Sequence, residues 1–145
     1  MSKYRVVILD DRFGSYLEEE YILKEVDASI DVCHFDNDKD AIRGLRDADA
    51  VLVNLFPITS TIINGMERCK IISRYGVGYD SIDVNAATQA GIWVSRVTDY
   101  GVEDVSDQAL ALLLGCIRKI AYKDKKIRNG AWDLHKKQPI HRILG

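Results

Sequence analysis

Cysteine, proline and long apolar runs are all scarce in this chain of 145 residues. The three cysteines, Cys33, Cys69 and Cys116, are odd in number and far apart, which argues against a disulfide scaffold and against a CxxC metal or redox site. The longest apolar run, residues 109–117, is far shorter than the roughly 20 residues that a membrane span needs. The N-terminus has neither the long apolar region nor the cleavage site of a signal peptide. We therefore expect a soluble cytoplasmic protein.

The net charge of −2 is unevenly distributed along the chain. Residues 1–60 hold 13 acidic and 7 basic side chains, whereas residues 117–145 hold 2 acidic and 9 basic ones. A basic tail is compatible with nucleic-acid binding. No nucleic-acid-binding motif accompanies this one, so we predict a solvated helix face or an arm that meets an acidic partner surface.

Short apolar runs alternate with amphipathic segments along the first two thirds of the chain. The runs predict five strands, at residues 4–9, 30–35, 50–54, 70–74 and 92–95. The segments between them predict helices at residues 15–26, 38–46, 59–66 and 84–90. Strands that are apolar on both faces are typical of a parallel sheet with helices on either side. The sequence therefore predicts an α/β fold, a flavodoxin-like, doubly wound, parallel five-stranded sheet, with ligands beyond the carboxyl ends of its strands.

Two of the predicted helices carry explicit end signals. Ser15 is a suitable N-cap for the helix at 15–26, and Leu17, Tyr21 and Val26 lie near one face of it. Gly91 follows the helix at 84–90, in the position where glycine commonly ends a helix.

A further helix is predicted at residues 102–120, and it is apolar all round in its middle. Such a helix must be covered on every side, and the sheet can cover only one. We therefore predict a long buried helix that another domain or another subunit covers, followed by a basic arm.

The loop after the fourth predicted strand contains Gly76 and Gly78. Glycines let successive backbone amides turn toward one point and form an anion-binding nest. The alternative is a tight turn that needs a positive φ and binds nothing. The loop is not a dinucleotide fingerprint, because Ser81 occupies the place of its third glycine and the loop does not follow the first strand.

Asp10 and Asp11 follow the first strand and suggest a phosphoacceptor receiver domain. Such a domain also needs an acceptor Asp and a Lys at the ends of strands three and five, where this chain has Asn54 and Arg96. The receiver hypothesis is therefore weak. The three histidines, His34, His135 and His141, do not cluster in the sequence, and we predict no metal site.

Three segments of the chain resemble one enzyme family. Residues 70–83 are similar to the substrate loop of the D-isomer-specific 2-hydroxyacid dehydrogenases, residues 86–94 to the helix and strand that follow it, and residues 99–114 to the interdomain helix of the same family. Within the family, residues 100–103 and 139–142 are most similar to the C-terminal-binding-protein branch.

The resemblance implies an enzyme with a flavodoxin-like substrate domain and a Rossmann NAD(H) domain, which transfers a hydride between NADH and a 2-keto acid. It implies that the segment of Tyr75, Gly76, Val77 and Gly78 binds the substrate carboxylate through backbone amides, and that Tyr100 lines the substrate pocket, as in some D-lactate dehydrogenases. The catalytic Arg, His and acid of the family have no match here, so no catalytic and no cofactor-binding residue is expected in this chain. NAD is the expected cofactor, and NADP is not excluded.

The resemblance also implies a domain organisation. Residues 1–100 would form the substrate domain, and residues 101–145 the interdomain helix and dimerisation arm that lead into a nucleotide domain absent from this chain. A homodimer would form through helix 102–120 and the arm. Two alternatives stay open: an NAD-sensing, corepressor-like module that recruits partners beside strands one and two and helix 15–26, and a stand-alone flavodoxin-like domain of another function.

Overall fold

The structure is a computed structural model that describes residues 2–10 and 12–132. It divides the chain into two compact units, Met1–Thr98 and Asp99–Gly145. Several residues named above lie outside the described part of the chain, namely Asp11, His135, His141 and residues 139–142.

The first unit, called the sheet unit below, is built on one five-stranded parallel sheet in the order β2-β1-β3-β4-β5. Its strands are β1 (Tyr4–Leu9), β2 (Ala28–Cys33), β3 (Ala50–Val53), β4 (Ile71–Arg74) and β5 (Trp93–Arg96). Its helices are α1 (Leu17–Lys24), α2 (Asp38–Leu45), α3 (Ser60–Asn64) and α4 (Val84–Gln89). The strand order reverses between β1 and β3, as in flavodoxin-like folds. The predicted fold class is confirmed.

The central strands and the helices beside them form the core. Val7, Val51 and Ile72 on three neighbouring strands are fully buried, as are Ala41 and Leu45 on α2. Fully burying a valine, leucine or isoleucine side chain contributes about 1.5–3 kcal/mol to the stability of the fold. The apolar residues of the strands and of the amphipathic helices therefore stabilise this core.

Side chains and one glycine define the ends of the short helices. The Asn37 side chain caps α2 by accepting a hydrogen bond from the Asp40 amide, and Thr59 and Asp83 cap α3 and α4 in the same way. Gly91 has a φ of +70° just after α4, which confirms its predicted position at the end of that helix.

The prediction for α1 is wrong in its start and in its face. The helix begins at Leu17, with Tyr16 at the N-cap and no side-chain cap, so Ser15 does not cap it. The predicted inward residues Leu17, Tyr21 and Val26 are 72%, 73% and 55% exposed. The helix is instead turned so that Glu19 faces inward and accepts a hydrogen bond from the sheet unit's Tyr75. An apolar pattern alone does not reveal an inward acidic residue.

The second unit contains two helices where one was predicted at 102–120. α5 (Val102–Ile117) ends early and α6 (Ile120–Arg128) follows it. The chain turns between them because Lys119 adopts a left-handed φ of +54°, while the Lys119 amide donates to the Cys116 carbonyl at 3.1 Å. Part of the predicted basic arm is therefore helical.

The apolar residues of α5 are exposed in the single chain. No residue of α5 is buried, and Leu110, Leu112 and Leu113 are each more than half exposed, at 53%, 60% and 53%. The helix was predicted to be buried against another domain or another subunit, and that contact stays a prediction. Over residues 2–10 and 12–132, no helix has the length and apolar character that crossing a membrane requires.

Candidate functional site

The candidate site is the carboxyl edge of the sheet, where the loops after β1, β3, β4 and β5 begin. At the point where the strand order reverses, Asp10 has a φ of +64°. Its Oδ2 atom accepts hydrogen bonds from the Leu55 amide, at 2.7 Å, and from the Phe56 amide. Asp10 therefore fixes the loop after β3. This is a structural role.

Only one glycine of the loop after β4 requires its special backbone. Gly76 is buried and has a φ of +149°, a region that residues with a side chain rarely adopt. Its amide donates to the Arg74 carbonyl at 2.9 Å, which closes a three-residue turn. Gly78 has no such φ, and a Cβ atom there would meet only Asp80 Oδ2, at the ordinary contact distance of 3.6 Å.

Two backbone amides of this loop remain available to a ligand. Among the described residues, the N–H groups of Val77 and Gly78 have no hydrogen-bond acceptor, and both residues are exposed. The Gly76 amide is occupied within its own turn. The donors that can meet an anion at this loop are therefore the two successive amides of Val77 and Gly78.

Two arginines lie beside these amides, at the ends of neighbouring strands. Arg74 and Arg96 are register partners across β4 and β5. Arg74 Nε donates to the Asn54 carbonyl at 3.1 Å, and Arg96 Nη1 donates to the Val77 carbonyl at 2.7 Å. In the described part of the chain, no carboxylate oxygen lies within 4.0 Å of either guanidinium. Neither guanidinium therefore has an ion-pair partner among the described residues, which favours an anion at this edge.

Tyr75 holds the loop to α1. Its hydroxyl donates to Glu19 Oε1 at 2.9 Å, and its ring lies 5.2 Å from the ring of Phe13, centroid to centroid. Burial raises the pKa of the Tyr75 phenol, and the hydrogen bond to Glu19 and the charge of that carboxylate raise it further. Tyr75 is thus a neutral hydrogen-bond donor whose hydroxyl is already occupied.

The structure brings Tyr75, Gly76, Val77 and Gly78 together in one loop, as their adjacency requires. Tyr100 belongs to the second unit, where it precedes α5 and is 71% exposed. Arg96 was not predicted to contact the loop, although its place at the end of the strand next to β4 was a usable signal. No pattern in the sequence indicated the contact with Glu19.

Among residues 2–10 and 12–132, the remaining polar side chains do not form a second centre. His34 is exposed, and its Nε2 lies 3.7 Å from Asp36 Oδ1. Within the ranges that the structure describes, no group of three or more His, Cys, Asp or Glu side chains could hold a metal ion.

Known proteins that are similar to this chain indicate its family and its fold. Residues 6–131 match the family described as D-isomer specific 2-hydroxyacid dehydrogenase, catalytic domain. A glyoxylate reductase of Korarchaeum cryptofilum is 37% identical over 93 residues, which are 63% of this chain and 28% of that protein.

Two solved structures illustrate the similarity in fold. The PH0520 protein from Pyrococcus horikoshii OT3 superposes with a TM-score of 0.82 and 28% identity over 99% of this chain and 44% of its own. An acyclic imino acid reductase in complex with NADPH and D-Arg gives 0.76 and 26%, over 94% of this chain and 44% of its own. This chain thus spans less than half the length of the relatives it matches. Because the family match runs from β1 to the end of α6, the chain belongs to the D-isomer-specific 2-hydroxyacid dehydrogenase family, in the part described as the catalytic domain.

Proposed function

We propose that this chain is the N-terminal, substrate-binding part of an NAD-dependent D-2-hydroxyacid dehydrogenase, and that it binds the carboxylate of a 2-keto or 2-hydroxy acid. The observation that supports this most directly is the pair of unpaired amides at Val77 and Gly78 beside two arginines without acidic partners. A carboxylate has two oxygens, each of which can accept hydrogen bonds, so it can accept hydrogen bonds from both N–H groups at once.

The contribution of this chain to the reaction is binding and orientation. Two hydrogen bonds from backbone amides to the carboxylate hold the substrate by one end and leave its 2-carbon pointing away from the loop. The amides keep their protons throughout, and the Tyr75 hydroxyl is held by Glu19, so neither donates a proton to the substrate. Tyr100 is proposed as a further substrate-binding residue of the complete protein. The acid–base and hydride chemistry belongs to residues outside this chain.

The glycine loop after β4 is not a dinucleotide site. Ser81 stands where a phosphate-binding fingerprint requires glycine, and the glycine loop follows β4 rather than the first strand. We therefore assign the nicotinamide cofactor to the separate nucleotide domain of the whole enzyme, with NAD preferred over NADP by family alone. We place residues 1–100 in the substrate domain and residues 101–145 in the connection to the nucleotide domain.

A homodimer in the cytoplasm completes the proposal. The support for the dimer is the row of exposed leucines on α5, since a contiguous apolar surface of this kind usually marks an interface. The interface would comprise the helical region 102–120 and the basic arm. A symmetric pair of such helices would bury the same leucines from both copies.

The enzyme assignment is tested by NADH oxidation. The full native protein is assayed with glyoxylate, pyruvate and hydroxypyruvate, and the 145-residue chain is assayed in parallel. We expect turnover of at least one 2-keto acid by the full protein and none by the chain alone. Absence of turnover with every acid, together with absence of binding at the Val77 and Gly78 amides, would overturn the proposal.

A second candidate function, the partner-recruiting module, has one observation in its favour. Leu17, Tyr21 and Ile22 on α1 are 72%, 73% and 63% exposed, and β2 beside α1 is an edge strand of the sheet. An extended peptide can add to an edge strand and insert side chains against such a surface. A pull-down with wild type and with Tyr21→Glu decides this: a peptide partner held by wild type and lost in the variant supports the module.

A further inference from the structure

Arg96, at the end of β5, contacts the loop after β4 at two points. Its Nη1 donates to the Val77 carbonyl at 2.7 Å, and its guanidinium carbon lies 5.1 Å from the centre of the Tyr79 ring. The ring face and the carbonyl together fix the guanidinium in one orientation. Arg96 therefore restrains the peptide group that joins Val77 to Gly78.

That peptide group has a fixed internal geometry. No described peptide bond is cis, and in a trans peptide the C=O of one residue and the N–H of the next point in opposite directions. If Arg96 holds the Val77 oxygen, the Gly78 N–H is directed away from Arg96. A hydrogen bond from a cation to the carbonyl also polarises the peptide and makes its N–H a stronger donor.

We propose that Arg96 is a positioning residue for the substrate carboxylate, which it serves by anchoring the Val77 carbonyl and thereby aiming the Gly78 amide. The inference rests on the proposed function, because it assumes that the Val77 and Gly78 amides receive a carboxylate. Arg96 touches the loop from behind and does not contact the substrate.

Two other roles for Arg96 make different demands on its chemistry. A packing role against Tyr79 needs only the long aliphatic stem, which methionine also supplies. A remote effect of positive charge would be shared by other arginines of the sheet unit. The proposed role needs a cationic donor at this one place, so lysine retains part of it and methionine none.

The test compares variants of the 145-residue chain by amide NMR during titration with pyruvate. The variants are Arg96→Lys and Arg96→Met, and the matched control is Arg43→Met. Arg43 is 79% exposed on α2 and bonds only to Asp40 among the described residues. The dissociation constant is taken from the shifts of the Val77 and Gly78 amides, and urea unfolding of each variant is measured beside it.

We expect Arg96→Met to weaken pyruvate binding about tenfold, equivalent to about 1.4 kcal/mol, and Arg96→Lys to fall between Arg96→Met and wild type. The Gly78 amide resonance should also move in Arg96→Met without pyruvate, because its peptide loses the bond to the carbonyl. Arg43→Met should bind as wild type does.

The outcomes separate this inference from the proposed function. If wild type binds pyruvate at Val77 and Gly78 and Arg96→Met binds it equally well, the positioning role is wrong and the carboxylate site stands. If Arg96→Met and Arg96→Lys weaken binding only in proportion to lost stability, Arg96 is a packing residue and the inference is overturned. If wild type shows no shift at these amides, the carboxylate site itself is wrong and the positioning role falls with it.

Discussion

Gly76 is the residue of the loop after β4 for which the structure gives the most direct estimate of the effect of a substitution. Its φ of +149° lies where residues with a side chain are strained, and a Cβ atom would lie 1.9 Å from Arg74 Nη1. Gly76→Ala therefore has two consequences: the backbone is strained, and Arg74 must move away from the Asn54 carbonyl that it holds at 3.1 Å.

The magnitude follows from these two terms. Backbone strain of this kind costs about 1–3 kcal/mol. A lost hydrogen bond costs about 0.5–1.5 kcal/mol, and the tip of an arginine can move at little further cost. We expect Gly76→Ala to lower the free energy of unfolding by about 2–4 kcal/mol, which for a unit of this size lowers Tm by about 8 °C or more.

Urea unfolding followed by circular dichroism measures this, with Gly78→Ala as the matched control. A Cβ atom on Gly78 meets nothing closer than 3.6 Å, so that variant should lie within about 1 kcal/mol of wild type. In an Arg74→Ala background, Gly76→Ala should cost only the backbone strain. Equal effects of the two glycine substitutions, or a Gly76→Ala variant as stable as wild type, would refute the geometry of the loop.

Three further predictions concern the sheet edge and α5. Asp10→Ala should lower the free energy of unfolding by about 1.5–3 kcal/mol, because two amides lose a charged acceptor, and Asp10→Asn by less, as urea unfolding will measure. Tyr75→Phe should cost about 1 kcal/mol at pH 7. Because the folded state raises the pKa of Tyr75, its contribution is complete below pH about 10 and is lost as the pH rises further, so wild type should lose stability there faster than Tyr75→Phe does. Leu112→Lys should convert a dimer to monomers in sedimentation without changing the circular dichroism of the sheet unit, and a wild-type chain that is already monomeric would contradict the proposed interface.

The strands and most helices of the sheet unit were predictable because apolar residues, which become buried, recur in the sequence as short runs and at helical spacing. Apolar runs such as those of β1 and β3, with helices between them, are typical of a parallel sheet that is covered on both faces. Gly91 follows α4 at the position that the sequence predicted. The limits of α1 and α5 were not predictable in the same way. Glu19 faces inward because of a partner 56 positions away, and Lys119 breaks a helical pattern through its own backbone conformation.

The candidate site was predictable as a loop but not as a set of atoms. The two glycines look equivalent in sequence, yet only Gly76 needs a conformation that other residues avoid. Asp10 was a weak indication of a receiver domain, and it instead holds two backbone amides. The predicted fold already placed the end of β5, and so Arg96, beside the loop after β4, but no pattern in the sequence indicated the hydrogen bond of its Nη1 to the Val77 carbonyl.

The central claim is that the Val77 and Gly78 amides bind a carboxylate. The most direct measurement compares pyruvate with its neutral amide, pyruvamide, in an amide NMR titration of the wild-type chain. We expect saturable shifts of these two amides with pyruvate and none of comparable size with pyruvamide. Equal responses to both compounds, or pyruvate shifts that leave Val77 and Gly78 unchanged, would contradict it.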